Sequence, residues 1–531
     1  MSKNSLLFLA LSLPGCSDGG SEAVADYELR VTPVTPINQA PFTGLDRMNL
    51  VVEPATGAPI TYELSGVASG SSPELTGVAA LEDATIALEG YANGRMVSFG
   101  RSDPLTLVNG SAEARVLVSD VNDFAWFNNL ATPVFSGAMA SDGGGRFYLF
   151  GGNTAGAEVA DSGDVTDTIW AIDVAPPDES FTLSEVGTLP ADPDGDTVRV
   201  AHSATPLTAA AAGEAGKILV AGGMTELFSS GTVSDFAFIW DPATGETTSQ
   251  IEMVKRRFYH QAVENQAGDV VLIGGFGYAR GNSYTAEPSI EILDVSAGTS
   301  STVIGTMYTG AFWPAATSLG PDGVLICGGV SIDGTDYGAT DGCAVLSNSG
   351  ELSNAGTMDD EMFMSSLASL GDGRALLTGG FVATGITEVD FATPLEATSA
   401  AWIYEDGALT PVENMHFARA GHGSAALPDG RVVIFGGSEA TDFGVYPSGQ
   451  DALACAEIFD PSTKKFTVVG SCSETDDAAT LPSRVTLPIF GSDPRYGVLV
   501  AGGLNYGPRS LYGKATDGVA LFVACPDADK C

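Results

Sequence analysis

Three of the four histidines share one short spacing: Arg199-x-x-His202, Arg257-x-x-His260 and Arg419-x-x-His422. An imidazole three residues after a guanidinium can act as acid or base, metal ligand or ligand contact. A repeated structural hydrogen bond gives the same pattern, and its periodicity favours that role. His416 stands alone. In Asp192-Pro193-Asp194-Gly195-Asp196, three carboxylates at alternate positions can converge on a hard cation such as calcium. The downstream bidentate glutamate of an EF-hand is missing, and a solvated turn is the favoured account of the segment. No other cofactor is expected. Of seven cysteines, six form close pairs: Cys327/Cys343, Cys455/Cys472 and Cys525/Cys531. An even number in local pairs suits three disulfides in an oxidising compartment, and no Cys-x-x-Cys spacing suggests zinc or redox chemistry. Neither a Gly-x-Ser-x-Gly elbow nor a His-Glu-x-x-His helix occurs, so a serine hydrolase or zincin has no support.

The elements that position these groups repeat. An apolar strand ending in a glycine pair recurs seven times, with first glycines at 151, 222, 274, 328, 379, 436 and 502. The spacings of 71, 52, 54, 51, 57 and 66 residues suit a four-stranded unit of about 50 residues with loop insertions. Upstream lies a hairpin turn, clearest in Pro428-Asp429-Gly430, where Pro fixes φ and Gly supplies a positive one. Downstream comes a third strand ending in an acidic turn, as in Phe238-Ile239-Trp240-Asp241-Pro242 and Glu457-Ile458-Phe459-Asp460-Pro461. A fourth strand follows, such as Lys465-Phe466-Thr467-Val468-Val469.

These segments resemble the kelch repeat over residues 120 to 531, and seven copies imply an all-β, seven-bladed kelch-type propeller. The last repeat lacks a fourth strand, and Asp123-Phe124-Ala125-Trp126-Phe127 reads as the strand that completes its blade and closes the ring. The kelch arrangement puts the variable loops after the glycine pairs on the same face as the starts of the inner strands. That face gathers Tyr278, Arg280, Tyr284, Tyr337, Tyr446, Tyr506, Arg509 and Tyr512 with Arg257, His260, Trp313, Arg419, His422 and Arg484. Such aromatics and arginines suit a saccharide, a peptide or an anionic ligand; the alternative is that the tyrosines pack their own loops and the arginines make ion pairs between blades. Galactose oxidase, a kelch-like enzyme, uses two tyrosines, one crosslinked to cysteine, and two histidines around copper. Here every cysteine outside Cys16 has a pairing partner and no domain follows the propeller, which argues against an oxidase. Some bacterial kelch propellers resemble sialic-acid mutarotases, for which Arg257, His260 and Glu291 are nominal acid/base groups.

Residues 27–120 alternate short strands without glycine pairs, as in Glu28–Thr32, Met48–Val52, Ala84–Leu88 and Ala114–Val118, and read as a small β-sandwich, with an immunoglobulin-like topology as one candidate. Before them, residues 1–15 read as an export signal: one lysine, then the apolar run Leu6–Leu13, too short to span a bilayer. Leu13-Pro14-Gly15-Cys16 resembles a lipobox, with Pro14 in place of the usual small or aliphatic residue. The resemblance implies lipidation of Cys16 and a polar tether over 16–26, and the repeats place the propeller over 121–531. A formal net charge of −43, from 66 acidic and 23 basic residues, excludes nucleic acid and disfavours direct docking on anionic lipid. The expectation is a lipid-anchored protein of the bacterial envelope, facing periplasm or exterior, that binds protein or glycan through its loop-bearing face. A sugar-active enzyme and a purely structural spacer are the rivals.

Overall fold

In each repeat the strand before the glycine pair is four or five residues long and buried on both faces, as in Ile218–Ala221, Val324–Cys327 and Val432–Phe435. A strand covered on both faces reads as a continuous apolar run rather than an alternating one, and this one is the second of four in its blade. The computed structural model describes residues 9–13, 27–64, 81–107, 111–127, 129–154, 165–174, 183–208, 213–226, 231–278, 284–303, 312–333, 336–383, 395–441, 452–470, 481–505, 514–527 and 530–531.

Blades 1 to 6 each pair four antiparallel strands in chain order. Blade 2, for example, is Ser203–Pro206, Ile218–Ala221, Phe236–Asp241 and Glu246–Glu252. Blade 7 takes its first three strands, Phe490–Asp493, Gly497–Ala501 and Val519–Val523, from one end of the repeat array. Its fourth is Asp123–Trp126, with Val523 opposite Asp123 and Ala520 opposite Trp126. The ring therefore closes as the sequence predicts. The seven innermost strands touch in a complete circuit, each against the next and the seventh against the first.

The N-terminal domain is one mixed sheet that curls over its own core rather than two separate sheets. From one edge to the other run Leu9–Leu13, Tyr27–Val34, Ser111–Asp120, Arg95–Arg101, Leu81–Ala92, Arg47–Glu53 and Ile60–Leu64, with Leu105–Leu107 beside Leu81–Ala92. Tyr27–Val34 runs parallel to Ser111–Asp120. Alternate residues divide its burial between two faces: Leu29, Val31, Leu50, Ile86, Val116 and Val118 fill the inner core. On the opposite face Val51, Ala87, Tyr91, Phe99 and Leu117 share a cluster with Phe127, Leu149, Leu499 and Leu521 of the propeller.

The Cys327–Cys343 disulfide joins adjacent strands of blade 4, and Cys525–Cys531 closes a six-residue separation after blade 7. Cys455 is disulfide-bonded as well; its expected partner Cys472 lies outside the described residues, as does Cys16. No helix among the described residues is long and apolar enough to cross a membrane.

Candidate functional site

The repeated arginines lie inside the blades. Arg257 is fully buried and donates to the Gly274 and Ser289 carbonyls at 2.8 and 3.2 Å, and to Glu291 Oε2 at 3.1 Å. Arg419 repeats this in blade 6, donating to the Gly436 carbonyl at 2.8 Å and Glu457 Oε1 at 3.0 Å. Each glutamate also accepts a backbone N–H from the residue three before its arginine, Val254 or His416. Both glutamates are fully buried, and a buried charge of this kind persists only when paired and hydrogen-bonded. The guanidiniums are thus consumed in holding the glycine turn to the third strand. Expected at a ligand face, Arg257 and Arg419 present nothing to solvent.

Blade 2 solves the same problem differently. Glu291 and Glu457 sit opposite the residue two before their glycine pairs, Leu272 and Ile434. The matching place in blade 2, opposite Val220, holds Phe238. Arg199 accordingly finds its carboxylate elsewhere, in Asp192 Oδ2 at 3.6 Å, while donating to the Gly222 carbonyl at 3.1 Å. Asp192 Oδ1 accepts the N–H groups of Asp194 and Asp196, both at 3.0 Å, which coils the acidic segment into a turn. Asp194 turns outward to Arg256 at 3.1 Å. The three carboxylates expected to converge on calcium therefore diverge: one serves a buried arginine and another a surface arginine. No group of three His, Cys, Asp or Glu side chains able to hold a metal occurs among the described residues.

The histidines wedge between blades. His260 Nε2 lies 2.9 Å from Ser203 Oγ of the preceding blade, and His422 Nε2 lies 2.9 Å from Thr378 Oγ1. Burial, with the neighbouring arginine adding to it, pushes His202 down to about 3 and holds His260 and His422 well below the ordinary imidazole range. All three stay neutral, and at 7% exposure none is offered to a ligand. Each ring occupies the space that a side chain at the preceding blade's first glycine would take. A Cβ on Gly151 would stand 2.6 Å from the Arg199 carbonyl oxygen and 3.1 Å from His202 Cε1. The glycine pair and the histidine of the next repeat are two halves of one contact.

Arg484 is displaced by one residue from this scheme. Val485 takes the buried slot, receiving the Gly437 N–H on its carbonyl just as Arg257 receives that of Gly223. Arg484 matches Arg256 instead: both are half-buried, and they donate to the Ala452 and Val233 carbonyls at 2.9 and 3.1 Å. Of the other expected contacts, the Tyr278 side chain, Arg280 and Tyr506 lie outside the described residues, as do the Tyr284 and Tyr337 side chains, Tyr446, Arg509 and Tyr512.

Around the axis, one position per blade has a left-handed backbone: Ser136, Ala201, Tyr259, Trp313, Met364, Gly421 and Leu487, with φ between 47° and 58°. These residues join blade to blade. Ala201 donates its N–H to Ser136, Tyr259 to Ala201, Met364 to Trp313, Gly421 to Met364 and Leu487 to Gly421, over 2.7–3.3 Å. A non-glycine residue in this region costs about 1–2 kcal/mol, and the hoop of inter-blade hydrogen bonds explains why six tolerate it. The sequence carries no side-chain signal for this ring because what the seven share is a backbone conformation.

Outside the hoop, a short collar repeats seven times. The residue before each hoop position bridges the residue after a glycine pair, as in Phe258↔Phe276, Phe312↔Val330, Phe363↔Phe381 and Ala420↔Ser438. That residue in turn bridges a returning one, such as Ala286, Ala339, Ala397 or Ala452. The collar is aromatic over blades 3 to 5: Phe258, Phe276, Phe312, Trp313, Phe363 and Phe381 form a chain with ring centroids 4.5–5.9 Å apart. Trp313, expected at the channel mouth, lies in the hoop, half-buried and stacked on Phe363. Tyr259 reaches from blade 3 to Ser136 of blade 1, hydroxyl to hydroxyl at 2.9 Å, and Leu487 packs with clusters on both sides. Apolar side chains thus floor the axis, and the collar bridges flank the seven variable segments in the sequence.

No protein-family model matches the sequence, and no curated protein is similar to it. Among solved structures, that of YjhT shares 14% identity over 64% of this chain and 99% of its own, with a TM-score of 0.45. A fungal alcohol oxidase of the AA5 family, solved in complex with copper, shares 16% identity over 76% of this chain and 75% of its own, with a TM-score of 0.48. The architecture rests on the sheets themselves: this chain is a seven-bladed β-propeller preceded by a curled mixed-sheet domain.

Proposed function

We propose that this chain is an envelope lipoprotein, tethered through Cys16 once the segment that carries the edge strand Leu9–Leu13 is removed, that binds a protein or glycan ligand through the collar face of its propeller. The observation that carries this reading is geometric. The collar bridges that flank the seven variable segments lie together on one face of a closed ring, the arrangement in which a scaffold presents recognition loops. The segments described on that face carry Glu226, Glu287, Glu361, Glu396 and Glu439, and the whole chain is strongly acidic, so the favoured ligand is neutral or cationic. An acid/base reaction at the mouth finds no support in Arg257, His260 and Glu291, since all three are buried in structural contacts.

The test is a glycan and envelope-peptide array probed with soluble protein beginning after Cys16. Glu396→Lys and Glu439→Lys change exposed collar positions, and Glu246→Lys changes an exposed outer-strand position in blade 2. The expected result is a ligand whose binding falls at least tenfold with either collar change and not with Glu246→Lys. Binding indifferent to the collar changes, or none at all, overturns the reading and leaves the structural spacer.

A further inference from the structure

The two ends of the propeller meet in blade 7, and the contacts that fasten this seam come from outside the repeats. Asn38 and Gln39, between the sheet strands Tyr27–Val34 and Arg47–Glu53, act as a substitute strand along the free edge of Asp123–Trp126. Asn38 accepts the Trp126 N–H at 2.8 Å and donates to the Phe124 carbonyl at 2.9 Å, and Gln39 donates to the same carbonyl at 3.1 Å. Asn122, at the turn into this strand, donates its N–H to Val523 at 2.7 Å, while its Oδ1 accepts Arg431 at 2.6 Å and the Cys525 N–H at 3.2 Å.

The Cys525–Cys531 cystine sits on this junction. Cys525 is fully buried in the apolar cluster that contains Tyr91, Met96 and Phe99 of the sheet domain, and Cys531 packs against that cluster. Lys530, held beside Cys531 by the ring closure, lies 3.4 Å from Glu89 Oε1. Glu89 is only 8% exposed and also accepts the Tyr91 hydroxyl at 2.8 Å. The loop therefore touches the propeller through Asn122 and the sheet domain through Glu89. The two cystines with both halves among the described residues differ in access: Cys327 and Cys343 are both fully buried, whereas Cys531 is partly exposed.

We propose that the Cys525–Cys531 loop is a redox-operated latch that, when oxidised, locks the sheet domain onto the propeller seam. The reductant is a dithiol, small or protein-borne. Its thiolate attacks Cys531 Sγ, the S–S bond breaks and Cys525 leaves as a thiolate that takes up a proton. The second thiol then displaces Cys531, so two electrons pass to the protein and the reductant departs as its own disulfide. Opening the ring frees Lys530 from Glu89 and loosens Cys525 beside Asn122, while the seven inner strands keep their contacts.

The experiment is hydrogen exchange on the mature chain carrying C525S and C531S together. Exchange is expected to rise about tenfold in Leu81–Ala92, Arg95–Arg101 and Asp123–Trp126, with blades 2 to 5 unchanged. Mild dithiol treatment of the unmodified chain reproduces the pattern, and Lys530→Ala, with the cystine intact, gives a smaller rise at the same strands. Unchanged protection in the double variant overturns the latch. An equal rise across all blades overturns it too, because the loop is then a general fold element.

Discussion

A buried arginine in this propeller is a fastener, and its behaviour on substitution follows from its partner. Arg419→Met leaves Glu457 fully buried without its cation and is expected to destabilise the fold by about 3–5 kcal/mol. Arg419→Met with Glu457→Leu removes both charges and is expected to recover most of that loss. A double-mutant cycle by denaturant unfolding measures the coupling, and simple additivity of the two changes defeats the assignment. The arginine and histidine positions were legible as a repeat, but their direction was not. A sequence shows that Arg257 and His260 recur with a period; it does not show that the residue between them turns left-handed and sends both side chains inward. The acidic triplet misled for a related reason: Asp192 looked like a cation ligand only while the Phe238 that replaces blade 2's own carboxylate went unnoticed.

Among the elements, the closing strand was the most legible, because a repeat array with one strand too few at its end and one too many at its start has a single economical solution. Phe124 is the residue on which that strand turns. Fully buried, it packs edge-on against Phe522 at 5.1 Å and Phe435 at 6.0 Å, bridging blades 7 and 6. Phe124→Ala is expected to cost about 3–5 kcal/mol. Hydrogen exchange is expected to rise first in Val519–Val523, ahead of the central strands of blades 2 to 5; loss of protection spread evenly over all seven blades counts against this order. The collar was less legible. Its bridges are single residue pairs such as Ala420↔Ser438, too short to leave a period in the sequence. The N-terminal domain was legible as strands and illegible as topology: alternation reveals which residues are buried, while the parallel pairing of Tyr27–Val34 with Ser111–Asp120 spans too great a separation to read.

Across the whole molecule, a formal charge of −43 opposes compaction at every radius. The ion pairs at the arginines are internal and little screened, whereas the dispersed carboxylates are within reach of salt. Raising sodium chloride from about 0.05 to about 0.5 M is therefore expected to raise the melting temperature by a few degrees. A fall would show that surface ion pairs such as Arg146–Asp173 and Lys464–Glu405 outweigh the repulsion.

The direction in which the chain crosses the seam has a mechanical consequence. Asp123, where the chain enters the closing strand, faces Val523, where it leaves the neighbouring one. Tension applied between the two flanking segments therefore acts at the same end of an antiparallel pair. Such a pair peels one hydrogen bond at a time rather than shearing all of them together, which is the weaker geometry under force. Asn122, the cystine loop and Lys530 are gathered at that end, where a tear in the ring would begin.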